Sequence, residues 1–261
     1  MTPNLVALAA LPRFLFTSAL LLSLAEHSFG QRRDPGPIST GRPDQTTGTN
    51  VIPKHTLQLE SGLRYQRDEA VRSFNYPSLV MRYGLLDRLE LRVGSAIQDS
   101  LPEGSRPRSR GVGPPEIGAR FSLWEETGLL PEVALTGGVT LPIGAEILRP
   151  ANPEARLRLG LTNSLTDNIS LTYTYGYGWL QNATEHKYAA KLAARLSQRL
   201  SVYGEFFGIK TSGSRPGNET DAGILWLLKD NLQLDLALGT GLTSAGPVYF
   251  VTTGFSVRLP Y

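Results

Sequence analysis

Apolar and polar residues alternate with period two through most of the chain, most regularly from Ala155 to Trp179. Ala155, Leu157, Leu159 and Leu161 share one face of an extended chain, with Arg156, Arg158, Gly160 and Thr162 on the other. After Thr166-Asp167-Asn168 the alternation resumes, with Ile169, Leu171, Tyr173, Tyr175, Tyr177 and Trp179 opposed by Ser170, Thr172, Thr174, Gly176 and Gly178. Successive side chains of a strand point to opposite faces, so this stretch reads as a β-hairpin with one apolar and one polar side. Each arm, at roughly 9–11 residues, is long enough to cross a hydrocarbon layer when tilted.

The pattern recurs about twelve times, as a hairpin array. The segments run from Leu57 to Tyr65, Leu79 to Leu85, Leu89 to Ile97, Ile117 to Leu123 and Val133 to Leu141. After the two arms of the central hairpin come Tyr188 to Leu196, Leu200 to Phe206, Ala222 to Leu228, Leu232 to Leu238 and Tyr249 to Leu259. Gly137 and Gly138 weaken the fifth and predict a bulge there. Connections after even segments are tight, as at Asp87-Arg88, Thr166-Asp167-Asn168, Ser197-Gln198-Arg199 and Asp230-Asn231. Those after odd segments are mostly longer and polar, as from Gln98 to Pro115, Pro142 to Pro153 and Lys210 to Glu219. Short turns at one end and long loops at the other predict an all-β fold, a single antiparallel transmembrane β-barrel of about 12 strands with its turns in the periplasm. Tyr65, Tyr175, Tyr177, Trp179, Tyr188 and Tyr249 fall toward the loop end, and Trp226 and Tyr261 toward the turn end, as aromatic belts would.

The N-terminus has a different character. Arg13 precedes an apolar run from Phe14 to Ala25, and Ser28 and Gly30 supply small residues before Gln31, so residues 1–30 read as a cleaved signal peptide. Residues 31–53, broken by Pro35, Pro37, Pro43 and Pro53, are a periplasmic linker or a plug for the lumen, and residues 54–261 form the barrel. The remaining composition excludes more than it suggests. The 261 residues contain no cysteine, so no disulfide scaffold forms, and no internal apolar run reaches the length of a transmembrane helix. The net charge of +3 comes from scattered arginine, which argues against a nucleic-acid partner.

The polar face carries Glu60, Arg64, Arg82, Glu90, Arg92, Glu116, Arg120, Arg156, Arg158, Lys191, Arg195, Glu205, Asp221, Asp235 and Arg258. Burying lone charges in a dry core costs several kcal/mol each, so this face suits a wet lumen better than a soluble sandwich. Two readings follow. In one, the charged lumen is a channel for small molecules, with anionic and aromatic solutes as candidates. In the other, the charges pair across a closed lumen and the barrel is structural or binds at its surface. A barrel lipid hydrolase is a third reading, but His55 and His186 adjoin no nucleophile motif, so no catalytic residue is assigned. No cluster at metal-ligand spacing appears, and neither metal nor cofactor is expected. Outer-membrane lipids and the barrel-assembly machinery are the expected partners, with a small solute in the lumen. Arg106, Arg108 and Arg110 either touch lipopolysaccharide phosphates or form a solvated basic loop.

Thr40-Gly41-Arg42-Pro43-Asp44-Gln45-Thr46-Thr47, then Val51-Ile52-Pro53-Lys54 and Leu57 to Gly62, resemble the opening of the outer-membrane β-barrel family named for the MetA pathway of phenol degradation. Tyr83-Gly84-Leu85 leading into Leu89-Glu90-Leu91-Arg92, and Gly113 to Gly118, extend the resemblance over most of the mature chain. It implies a transporter-like barrel in the outer membrane of a Gram-negative-type bacterium. The family opening often has an acidic residue before Arg-Pro-Asp, where this chain has Gly41. Arg42 and Asp44 are the residues that would pair with lumen charges if the segment is a plug.

Overall fold

The alternating segments are strands of one sheet. A computed structural model describes residues 36–104 and 108–259; the expected signal peptide, Arg106 and Tyr261 lie outside them. The strands are β1 (Leu57–Arg67), β2 (Val71–Leu86), β3 (Leu89–Pro102), β4 (Ser109–Val112), β5 (Glu116–Trp124), β6 (Glu132–Thr140) and β7 (Glu154–Thr166). They continue with β8 (Ile169–Trp179), β9 (Thr184–Arg195), β10 (Leu200–Thr211), β11 (Gly217–Lys229), β12 (Leu232–Gly241) and β13 (Tyr249–Leu259). Short β4 pairs only with the far end of β3. The other twelve pair antiparallel with their neighbours, and β1 bonds both β2 and β13, so the sheet closes into a barrel without free edges.

Burial is inverted relative to a soluble protein. Leu79, Met81, Leu91, Val93, Phe121, Ile224, Leu236 and Phe255 lie exposed on the outer face, whereas Glu60, Arg82, Glu90, Arg120, Glu205, Asp221 and Asp235 are buried within. An apolar band of that extent needs lipid around it. The fold is a single antiparallel transmembrane barrel.

Several local expectations change. Val71 to Ser78 and Gln98 to Pro102 continue their strands, as do Lys210 and Thr211, and Ser109 to Val112 form β4, so much of the expected loop sequence is sheet. The connections at 68–70 and 180–183 are as tight as turns, while 125–131, at the turn end, is longer. In that turn a hydrogen bond from the Ser164 side chain, joined by its N–H, holds Glu126 below the usual carboxylate range. Gly137 and Gly138 cause no register shift: they pair regularly with Ala119 and Gly118 and with Leu157 and Arg156, and the one irregularity of the β5–β6 pair lies at Ser122/Trp124. They serve close packing instead: a Cβ on the facing Gly118 would meet the Gly137 carbonyl oxygen at 2.3 Å.

Residues 37–56 run inside the barrel as a strap. Ile38 N–H donates to the Asp230 carbonyl at the turn end, and His55 N–H to the Gly84 carbonyl at the same end, so the strap goes in and comes back. Gly84 allows this return, since a Cβ there would lie 2.1 Å from the Pro53 carbonyl oxygen. Gly84→Val is therefore expected to cost about 1–3 kcal/mol through overpacking. Urea unfolding of the refolded barrel measures it, and an unchanged midpoint would mean that the strap yields freely at this point.

Candidate functional site

Inward positions are set by strand parity, and the lumen site is built from them. On β1, β2 and β3 the inward positions include Gln58, Glu60, Arg82, Glu90 and Arg92. Arg82 bridges two carboxylates, with Nη1 2.8 Å from Glu60 and Nη2 2.7 Å from Glu90. Arg92 reaches Glu90 at 3.1 Å. On the neighbouring wall Arg120 donates to Thr136 Oγ1 at 3.0 Å, and Arg156 lies 3.2 Å from both Glu154 and Glu185. Arg158 is 3.8 Å from Glu116, and Arg64 pairs with Glu219 at 3.2 Å.

The strap is threaded through these groups. Gly41 N–H donates to Glu60 at 3.1 Å, and Arg42 donates to Asp235 through Nη2 at 3.1 Å and Nε at 3.3 Å. Asp44 accepts from Lys191. At the strap's tip, Glu205 accepts three hydrogen bonds, from Gln45 N–H at 2.6 Å, Thr46 N–H at 3.0 Å and the Thr46 hydroxyl at 2.6 Å. Thr47 N–H donates to Thr174 Oγ1 at 3.0 Å, and the Asn50 carbonyl accepts from Arg82 at 3.1 Å and Arg120 at 2.9 Å. Ile52 N–H donates to Glu90 at 3.0 Å. A proline-broken segment has no sheet partner for its backbone, and lumen side chains supply the missing donors and acceptors.

The structure places the inward residues of the sequence reading as follows. Glu60, Arg82, Glu90, Arg120, Glu205, Asp221, Asp235 and Arg258 are buried, and Arg64, Arg92, Arg156 and Arg158 are half-buried. Glu116 stands where a cavity of about 440 Å³ opens at the loop end, with Glu154 and Arg156 on the rim and Ile147, Leu148 and Arg149 on the loop above. Arg195 needs correcting. It is exposed at the turn-end rim, where it donates to the Asp167 carbonyl and to Asn168, because its strand ends there.

Glu154, Glu185, Lys187 and Glu219 were missed, since they sit on strand extensions that read as loops. Carrying the alternation past the apolar band would have found them. They alter the balance. On the inner side stand the bases Arg64, Arg82, Arg92, Arg120, Arg156, Arg158, Lys187, Lys191 and Arg258, and the acids Glu60, Glu90, Glu116, Glu132, Glu154, Glu185, Glu205, Glu219, Asp221 and Asp235. With them, the inward bases no longer outnumber the inward acids.

The two remaining histidines lie apart from these groups. His186 is on the outer face of β9, with Nδ1 2.7 Å from the Tyr175 hydroxyl, and His55 is exposed beside the start of β1 at φ 62°. Arg108 donates to Asp99, and Arg110 lies 3.9 Å from the same carboxylate, so the two described arginines of this stretch face an acid.

Residues 40–259 match the family described as "Putative MetA-pathway of phenol degradation". The chain belongs to this family. No curated protein sequence matches. Among solved structures, an outer-membrane channel from Pseudomonas putida F1 superposes with a TM-score of 0.67 at 13% identity, covering 85% of this chain and 100% of that one. The NanC porin gives 0.53 at 8% identity over 78% of this chain and 100% of its own. The KdgM porin, solved with disordered oligogalacturonate, gives 0.51 at 11% identity over 76% of this chain and 98% of its own. At these identities the likeness is one of fold, and the fold is that of outer-membrane barrels.

Proposed function

We propose that this chain is an outer-membrane channel for small polar molecules whose resting lumen is occupied by residues 37–56. The observation that carries the reading is the way the strap is held. Hydrogen bonds and ion pairs to inward side chains fasten it inside a charged lumen, and no cysteine ties it there. Such contacts exchange readily with water, so the segment can leave without unfolding the wall. The fold shared with outer-membrane channels and porins supports the same reading. Export would depend on residues 1–30, with the tight turns in the periplasm and Arg108 and Arg110 toward the lipopolysaccharide side. A lipid surround and chaperoned insertion of the exported chain belong to the same reading.

Balanced inner charge weakens the case for anion preference, and small polar solutes fit better. Planar-bilayer recording tests this with the refolded mature chain and a form lacking residues 31–53. The shortened form is expected to conduct several-fold more than the intact one, with a reversal potential close to zero in a potassium chloride gradient. If a folded, heat-modifiable barrel stays silent in both forms, the channel reading fails and a closed structural barrel replaces it.

A further inference from the structure

The charges of the lumen are nearly balanced in number but unevenly distributed around the barrel. The inward positions of β10, β11 and β12 carry Glu205, Glu219, Asp221 and Asp235, and no base between Ser201 and Ile209, Glu219 and Leu225, or Gln233 and Gly239. The wall from β3 to β9 carries Arg92, Arg120, Arg156, Arg158, Lys187 and Lys191 against Glu90, Glu116, Glu132, Glu154 and Glu185. The interior therefore has an acidic sector, β10 to β12, that borders the bases of β9, where Lys191 stands opposite Glu205 across the strand pair. The strap meets this border between acids and bases. Arg42 turns to Asp235 on the acidic wall, and Asp44, two residues on, turns to Lys191 on the basic wall.

With the strap in place, both walls keep ionisable groups without an ion-pair partner. Asp221 is only 5% exposed, stands opposite Glu205 across the β10–β11 pair, and has no hydrogen-bond donor to either oxygen. The Tyr203 hydroxyl and one Asp44 oxygen likewise have no partner. On the other wall, among the described residues, Lys187 and Arg120 have no carboxylate within ion-pair distance. The described acids do not group as metal ligands. An organic cation is the better complement to Asp221, and a carboxylate to Lys187.

We propose that the middle of the lumen is a binding site for zwitterionic small molecules, with Arg42 and Asp44 as its resident occupant. The proposal rests on the channel reading and names the solute class for it. A solute with an ammonium and a carboxylate meets complementary charge on both walls; a singly charged one gains on one wall, and a neutral one on neither. Opposed partial complementarity of this kind sets preference more than gross affinity.

Two experiments decide it. The first uses the full chain with Arg42→Ala and Asp44→Ala, purified as a folded barrel in detergent. Saturation-transfer NMR compares glycylglycine, which is zwitterionic, with N-acetylglycine, glycinamide and N-acetylglycinamide. Glycylglycine is expected to bind at least tenfold more tightly than the other three, and adding Asp221→Asn and Lys187→Gln is expected to abolish that preference. Equal binding of the four probes, or a preference that survives the added changes, overturns the proposal.

The second experiment keeps the composition constant. Arg42→Asp with Asp44→Arg reverses the strap's polarity, and the strap is expected to become at least tenfold more susceptible to limited proteolysis. An unchanged cleavage rate overturns the oriented site. Swelling of proteoliposomes in glycylglycine separates this proposal from the reading beneath it. Preferential binding without permeation leaves the site standing and removes the channel, whereas permeation without preferential binding removes the site and leaves the channel.

Discussion

Replacing Arg82 with alanine is expected to destabilise the folded barrel by about 3–5 kcal/mol, the usual result of removing one partner from a buried ionic group. Arg82 is 1% exposed and sits between Glu60 and Glu90, which are 2% and 0% exposed. It also donates to the Ser39 carbonyl at 3.2 Å and the Asn50 carbonyl at 3.1 Å, so its loss uncouples the strap as well as the wall. Arg92, 3.1 Å from Glu90, offsets part of the charge left behind, and lumen water offsets more. Arg82→Lys should recover only part of the loss, because an ammonium cannot fork to two carboxylates as a guanidinium does. Urea titration read by heat-modifiable gel mobility gives the midpoint shift. Equal midpoints for wild type and Arg82→Ala would show that water solvates both glutamates and that the cluster is not structural.

Replacing Glu205 with alanine should free the tip of the strap. Hydrogen bonds to a charged acceptor contribute roughly 1.5–3 kcal/mol each, and Glu205 accepts three from Gln45 and Thr46. These contributions do not add fully, and removing Glu205 also relieves its repulsion with Asp221 across the strand pair. A net loss of only about 3 kcal/mol would still move the ratio of seated to released strap by roughly a hundredfold, since each 1.4 kcal/mol is a factor of ten. Single-channel recording should then show long open intervals in Glu205→Ala, with Glu205→Gln between it and wild type because the amide oxygen still accepts. If the open probability of Glu205→Ala matches wild type, the strap is held elsewhere and its tip is not the gate.

The barrel was legible because parity is local. Leu157, Leu159 and Leu161 alternate with Arg156, Arg158 and Gly160 whatever the rest of the chain does, and in a strand that alternation settles which side chains face lipid. The same rule puts Glu60, Arg82, Glu90 and Glu205 on the side away from lipid, and all four are buried. It lost precision where lipid no longer selects apolar residues. Glu185, Lys187 and Glu219 are inward on strand extensions that rise beyond the apolar band, and their polar surroundings looked like loop. Gly137 and Gly138 misled for a related reason. Glycine marks either a bulge or a close approach, and only the neighbouring Gly118 distinguishes them.

By itself, then, the order of residues determined the strand array, its two faces, the tight turns such as Asp87-Arg88, and the presence of ionic groups on the side away from lipid. All of these follow from the two-residue repeat and short-range turn chemistry. Tertiary structure decided what the charges do. Arg42 and Asp235 are 193 residues apart, and Gln45 and Glu205 are 160 apart, so no local pattern links them. Closure of β1 on β13 brings those positions around one lumen, and the strap's unpaired backbone then takes up the nearest inward donors and acceptors. The uneven distribution of charge around the barrel has the same origin, because it depends on how the strands are arranged around the ring.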